Sequence, residues 1–71
     1  MSIEPVGITE IAERLGVARS TVDQWRYRSL RGELPEPMPD ERWTVSGSPA
    51  WNWADVERWA RRTGRLDAVT T

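Results

Sequence analysis

The spacing that most constrains this chain lies in residues 8–27, ITEIAERLGVARSTVDQWRY. Ala12 is followed by a glycine four positions later, Gly16, and by an aliphatic residue six after that, Val22. Two helices that cross steeply through a tight turn need a small residue where the second approaches the first, and Ala12 supplies it. The turn needs a residue that accepts positive φ, and Gly16 supplies that. The facing sides need apolar groups, and Ile11, Leu15, Val17, Val22 and Trp25 recur at helical spacing. The pattern predicts a first helix of about two turns, with Thr9 as N-cap, Ile8 before it and Glu10 in its first turn. Gly16 ends it. A second helix is predicted from Ala18 or Arg19 to about Leu30, stopped by Gly32. Its inner face carries Val22 and Trp25. Its outer face carries Arg19, Ser20, Asp23, Gln24 and Tyr27.

The remainder of the chain frames this pair. Residues 1–8 read as irregular, since Pro5 and Gly7 break any earlier helix. Residues 33–41, ELPEPMPDE, hold three prolines and form an extended connector, packed in part through Leu34 and Met38. Arg42-Trp43-Thr44-Val45 and Pro49-Ala50-Trp51-Asn52-Trp53 flank Ser46-Gly47-Ser48 and read as a short hairpin. Pro49 weakens the start of its second strand or marks an edge. Trp51 and Trp53 alternate with Asn52, so they are expected to share the buried face. For Trp43 both a core place and an exposed one stay open. A third helix is predicted over residues 54–63, with Val56, Trp59 and Ala60 as its buried stripe and Gly64 as its stop. Residues 67–71 read as a frayed tail, leaving an ordered core of about 7–65 in one domain spanning 1–71.

Composition narrows the chemistry. The 71 residues suit a single domain, and five tryptophans compensate for its small core. There is no Cys, which excludes a disulfide scaffold and fits a reducing cytoplasm. There is also no His, so neither common zinc ligand is present and no metal or other cofactor is expected. With no His, Cys or Lys and no Gly-rich phosphate loop, an enzyme is not expected. No apolar run spans a bilayer and no signal-peptide pattern opens the chain, so the expectation is an intracellular protein with no membrane partner.

The net charge of −1 opposes bulk attraction to nucleic acid, but its distribution does not. The chain carries −2 over residues 1–17, +3 over 18–31, −5 over 32–57, +4 over 58–65 and −1 over 66–71. Binding to nucleic acid depends on a local basic face more than on the total. All ten cations are Arg, whose fork suits phosphate and guanine.

The Ala12–Gly16–Val22 spacing is the helix-turn-helix pattern, and in that arrangement the N-terminal half of the second helix faces bases in the major groove. Arg19 can fork onto guanine and Gln24 onto adenine. Asp23 can accept from a cytosine amino group, though orienting Arg19 at i, i+4 is its expected role. Ser20 and Tyr27 complete the base-facing row. Thr21, Arg26, Arg28 and Arg31 are expected on phosphates.

Taken together, GITEIAERLGVARSTVDQW, LPEP, a Gly-containing hairpin ending in WNW, and ADVERWARR resemble the excisionase and AlpA-type winged helix-turn-helix proteins, relatives of the MerR DNA-binding domain. The resemblance covers about residues 7–65. It implies a mainly α fold with a small β-hairpin wing, and a recognition helix in the major groove. It also implies a wing that touches DNA backbone or minor groove, through Arg42, Ser46, Gly47 and Ser48. Wings of this class often carry basic tips, whereas here the tip is Ser-Gly-Ser with Arg42 as the nearest cation, so contacts through backbone N–H and hydroxyl groups are the expectation. The acidic Glu33, Glu36, Asp40 and Glu41 must then face away from DNA.

Three functional readings follow. The first is a sequence-specific duplex-DNA binder, either an architectural excisionase working with a phage or mobile-element integrase, or a small transcriptional regulator. With no effector domain or long dimerisation helix attached, the size leans toward the excisionase. One recognition helix reads few base pairs, so weak self-association and cooperative assembly on DNA are expected. The second reading is a protein-interaction module, motivated by the pI near 5.3. The third, an enzyme, finds least support.

Overall fold

The computed structural model describes residues 3–65, which form three helices and a three-stranded antiparallel sheet. In chain order these are β1 (Pro5–Val6), α1 (Ile8–Leu15), α2 (Arg19–Leu30), β2 (Trp43–Val45), β3 (Ser48–Asn52) and α3 (Trp53–Arg62). The predicted tail at 67–71 lies outside the described residues.

The two-helix unit forms where the spacing placed it. Gly16 sits at φ +71°, ψ 32°, and closes α1. The Val17 N–H then donates to the Ala12 carbonyl at 3.0 Å. Only Gly16, Val17 and Ala18 separate the helices. Ala18 turns extended at φ −72°, ψ 150°, and α2 begins at Arg19. Ile11, Ala12 and Val22 are buried between them. Gly32, at φ +71°, follows the last turn of α2.

The start of α1 differs from expectation. Gly7 is the N-cap rather than Thr9, and the Glu10 carboxylate accepts the Gly7 N–H at 3.1 Å. The cause is β1, an element the sequence pattern did not indicate. Pro5 and Val6 pair with Asn52 and Trp51, so the chain is extended through Gly7 and turns helical at Ile8. Thr9 is left exposed in the first turn.

The hairpin closes through two residues. Ser46 at φ 51° and Gly47 at φ 80° form the turn, while Ser48 already pairs with Val45. Positive φ at both central positions matches the right-handed twist of the flanking strands. With β1 added, β3 is the central strand of the order β1-β3-β2. Pro49 is tolerated there because β1 pairs only with Trp51 and Asn52, so no strand lies beside Pro49 on that side.

Trp53 is not on the hairpin. It is the first residue of α3, half-buried, with the Arg14 guanidinium 4.9 Å above its ring. The Trp53 N–H donates to the Glu4 carbonyl at 2.9 Å, and Asn52 Oδ1 accepts the Glu4 N–H at 3.2 Å. These two bonds tie the entry of β1 to the β3–α3 junction and start α3 one residue earlier than predicted. Trp43, left open between core and surface, is half-buried.

The core is Val6, Ile11, Ala12, Val22, Met38, Trp51, Val56, Trp59 and Ala60, with Ile8, Leu15, Val17, Trp25, Leu34 and Trp53 packed around it. Val56, Trp59 and Ala60 are the inward stripe of α3, as their spacing required. The proline-rich connector serves the indoles. Trp51 Nε1 donates to the Pro39 carbonyl at 2.8 Å, and Trp59 Nε1 donates to the Glu36 carbonyl at 2.9 Å. A segment outside any ladder has carbonyls to spare, and buried indole N–H groups need acceptors.

Candidate nucleic-acid interface

The outward face of α2 is formed by residues opposite Val22. Arg19, Ser20, Asp23, Gln24, Tyr27 and Arg28 are all exposed, and Thr21 is half-buried on the flank. No side chain caps the N-terminus of α2. The Thr21 N–H donates to the Ala18 carbonyl at 3.0 Å, which leaves the Arg19 and Ser20 N–H groups at the positive end of the helix dipole without a partner among the described residues. Arg19 lines a shallow cleft of about 200 Å³ with Thr9 and Glu10 of α1 and Ser48 and Pro49 of β3. The beginnings of α1, α2 and β3 thus meet on one side of the molecule, with Arg19 among them.

The arginines divide into two groups. Among the described residues, Arg19, Arg28 and Arg58 form no ion pair, side-chain hydrogen bond or cation–π contact. The others are engaged. Arg26 turns toward the connector and meets Glu41 at 3.1 Å. Arg31 meets Glu33 at 2.8 Å, donates through Nη1 to the Tyr27 hydroxyl at 2.7 Å, and lies 5.2 Å from that ring's centre. Arg42 reaches Asp55 in the first turn of α3 at 3.0 Å. On α3, Arg62 meets Glu36 at 2.6 Å and Arg61 meets Glu57 at 2.8 Å.

Three expectations change accordingly. The Arg19–Asp23 pairing does not form, and both side chains stay open to solvent. Arg26, Arg31 and Arg42, expected on phosphates, are bound to carboxylates of this chain. Ser46, Gly47 and Ser48 are exposed at the hairpin tip, and Arg42 points back onto α3 rather than toward them. Of the acidic residues 33–41, Glu33, Glu36 and Glu41 are each neutralised by an arginine, and Asp40 is not.

Two further arginines matter that the sequence pattern did not single out. The Arg14 guanidinium is hydrogen-bonded to Glu4, which holds the Glu4 carboxyl below the usual carboxylate range and raises Arg14 in turn. Arg65 lies 5.0 Å from the ring centre of Trp25 and 4.7 Å from that of Trp59. Those two rings meet edge-on at 5.7 Å. Arg65 Nε is buried without a hydrogen-bond partner. Arg65 is therefore clamped onto both α2 and α3. Sequence periodicity carries no signal for this contact, because Arg65 lies beyond the last helix.

A second cleft, of about 340 Å³, runs between the C-terminal half of α2 and the connector, with Leu30, Met38 and Trp51 on its apolar side and Arg26 and Glu41 at its rim. Among the described residues no group of His, Cys, Asp and Glu is arranged to hold a metal ion. No helix among them is long and apolar enough to cross a membrane. Comparisons with protein-family models, with curated proteins and with solved structures found no match.

Proposed function

We propose that this domain binds double-stranded DNA sequence-specifically as a winged helix-turn-helix, with α2 in the major groove and the β2–β3 hairpin as its wing. The observation that carries the reading is the state of the outer face of α2. Arg19, Ser20, Asp23 and Gln24 stand exposed at the N-terminal half of a helix that follows α1 through a three-residue turn. Side chains able to fork onto base edges stay free where a groove-reading helix needs them. Arg19 and Gln24 read bases. Arg28, Thr21 and the free amides at the start of α2 meet phosphates. The hairpin tip contributes hydroxyl and backbone N–H groups rather than cations.

Within this reading the chain acts as an excisionase in a bacterial or phage-infected cytoplasm, shaping DNA for an integrase and assembling cooperatively on repeated sites. Support for that role is the residue pattern described above. A transcriptional regulator would use the same groove contact. The reading from another class, a protein-interaction module, is favoured by the engagement of Arg26, Arg31 and Arg42 with carboxylates, which leaves fewer free cations for phosphate.

Salt dependence separates these classes. A labelled duplex is titrated with the protein at two salt concentrations. DNA binding predicts an affinity that falls steeply as salt rises, because counterions are released from the phosphates. No binding at the lower salt refutes the DNA reading and leaves the interaction module.

A further inference from the structure

The connector between α2 and β2 holds Arg26 of α2, the helix that the proposed function brings to DNA, and Arg31 at its C-cap. Arg31 Nε donates to Glu33 at 2.8 Å, and Arg26 Nη2 donates to Glu41 at 3.1 Å. The backbone that presents Glu41 is itself fixed. Met38 donates its N–H to Ser29 of α2 at 2.9 Å, and the Pro39 carbonyl accepts Trp51 Nε1 at 2.8 Å. A carboxylate offers an arginine two oxygens in much the way a phosphate does.

We propose that Glu33 and Glu41 are specificity-determining residues that compete internally with DNA phosphate for Arg31 and Arg26. The inference rests on the DNA-binding reading above. Non-specific affinity comes almost entirely from phosphates neutralised by cations. Two arginines held by carboxylates withdraw from that tally on every random sequence. On a correct site, base contacts from Arg19 and Gln24 seat α2 and offset the cost of breaking the pairs. The pairs suit such an exchange. Their side chains are roughly one-third to one-half exposed, so each is a weak surface ion pair whose cost of breaking is small enough for the base contacts of a correct site to offset. Asp40 lies in the same connector, is exposed, and holds no arginine. It is the internal control for loss of charge alone.

The test measures binding of a short random-sequence duplex by fluorescence anisotropy across a salt series. Wild type, the double variant Glu33→Gln/Glu41→Gln, and Asp40→Asn are compared, with circular dichroism to verify that each is folded. The double variant is expected to bind roughly three- to tenfold more tightly at low salt. Its slope of log affinity against log salt should be steeper by about 1.8, since two more phosphates are neutralised. Asp40→Asn should leave the slope at the wild-type value. If wild type binds and the double variant shows the same slope, the competition is refuted while the DNA reading stands. If Asp40→Asn steepens the slope as much as the double variant, the effect is one of general charge, and the competition is again refuted. If no variant binds at the lowest salt, the DNA reading fails and this inference falls with it.

Discussion

Ser29 joins α2 to the connector, and removing its hydroxyl is a stringent test of how this small domain is held together. Ser29 Oγ donates to the Trp25 carbonyl at 2.7 Å and accepts the Met38 N–H at 2.9 Å. Met38 is in the core, so in Ser29→Ala its amide loses the hydroxyl that accepts it. An unsatisfied buried N–H costs about 1–3 kcal/mol, and partial burial places this one in the lower half of that range. Alanine returns about 0.5 kcal/mol of helix propensity. The net loss is about 1 kcal/mol, which lowers the melting temperature of a domain this small by roughly 4–8 °C. Ser20→Ala is the comparison. That hydroxyl sits on the exposed face of α2 and makes no hydrogen bond among the described residues, so the same substitution should be neutral or slightly stabilising. Thermal unfolding followed by circular dichroism reads both variants. Equal shifts in the two, or a stabilised Ser29→Ala, would refute the claim that this hydroxyl anchors the connector.

Three other outcomes are expected. Arg65→Ala should expose the Trp25 and Trp59 rings and cost about 1–2 kcal/mol of cation–π contact, seen as a red-shifted, more quenchable tryptophan emission and a lower denaturation midpoint; unchanged emission would count against the clamp. Gly16→Ala should lose about 1–2 kcal/mol through the positive φ alone, since no atom lies within 4 Å of the added methyl, with Gly16→Asn losing less in the same unfolding assay. The Glu4–Arg14 pair gives a pH signature: the folded carboxyl is depressed, so its contribution is present above the unfolded value of about 4 and is lost as pH falls through the folded one. The melting-temperature gap between wild type and Glu4→Gln should therefore close in acid, and a gap constant with pH would contradict the assignment.

Local signals carried most of the fold. Ala12, Gly16 and Val22 set the α1–α2 unit, and Gly16, Gly32 and Gly64 each adopt positive φ just past a helix. Val56, Trp59 and Ala60 read as one stripe and are buried as one. The features that sequence reading missed depend on partners far along the chain. β1 is two residues long and exists only because Trp51 and Asn52 are beside it. That pairing, and the Glu4 contacts to Asn52 and Trp53, moved the start of α1 to Gly7 and drew Trp53 into α3. The same holds at the candidate interface. Exposure of Arg19, Ser20, Asp23, Gln24 and Tyr27 followed from the helical period. The engagement of Arg26 with Glu41 and of Arg42 with Asp55 did not, because those partners lie 15 and 13 residues away. The Arg31–Tyr27 contact, at i, i+4, was within reach of sequence reasoning.

The most direct test of the proposed DNA binding is to map which surface of the domain responds to a duplex. Amide chemical shifts of the labelled protein are recorded by NMR as a short duplex is added at low salt. If α2 enters the major groove, the largest changes fall on α2 between Arg19 and Arg28 and at the hairpin tip, Ser46 to Ser48, with the outer face of α3 little affected. Changes centred on the connector or on α3, with α2 silent, would contradict it.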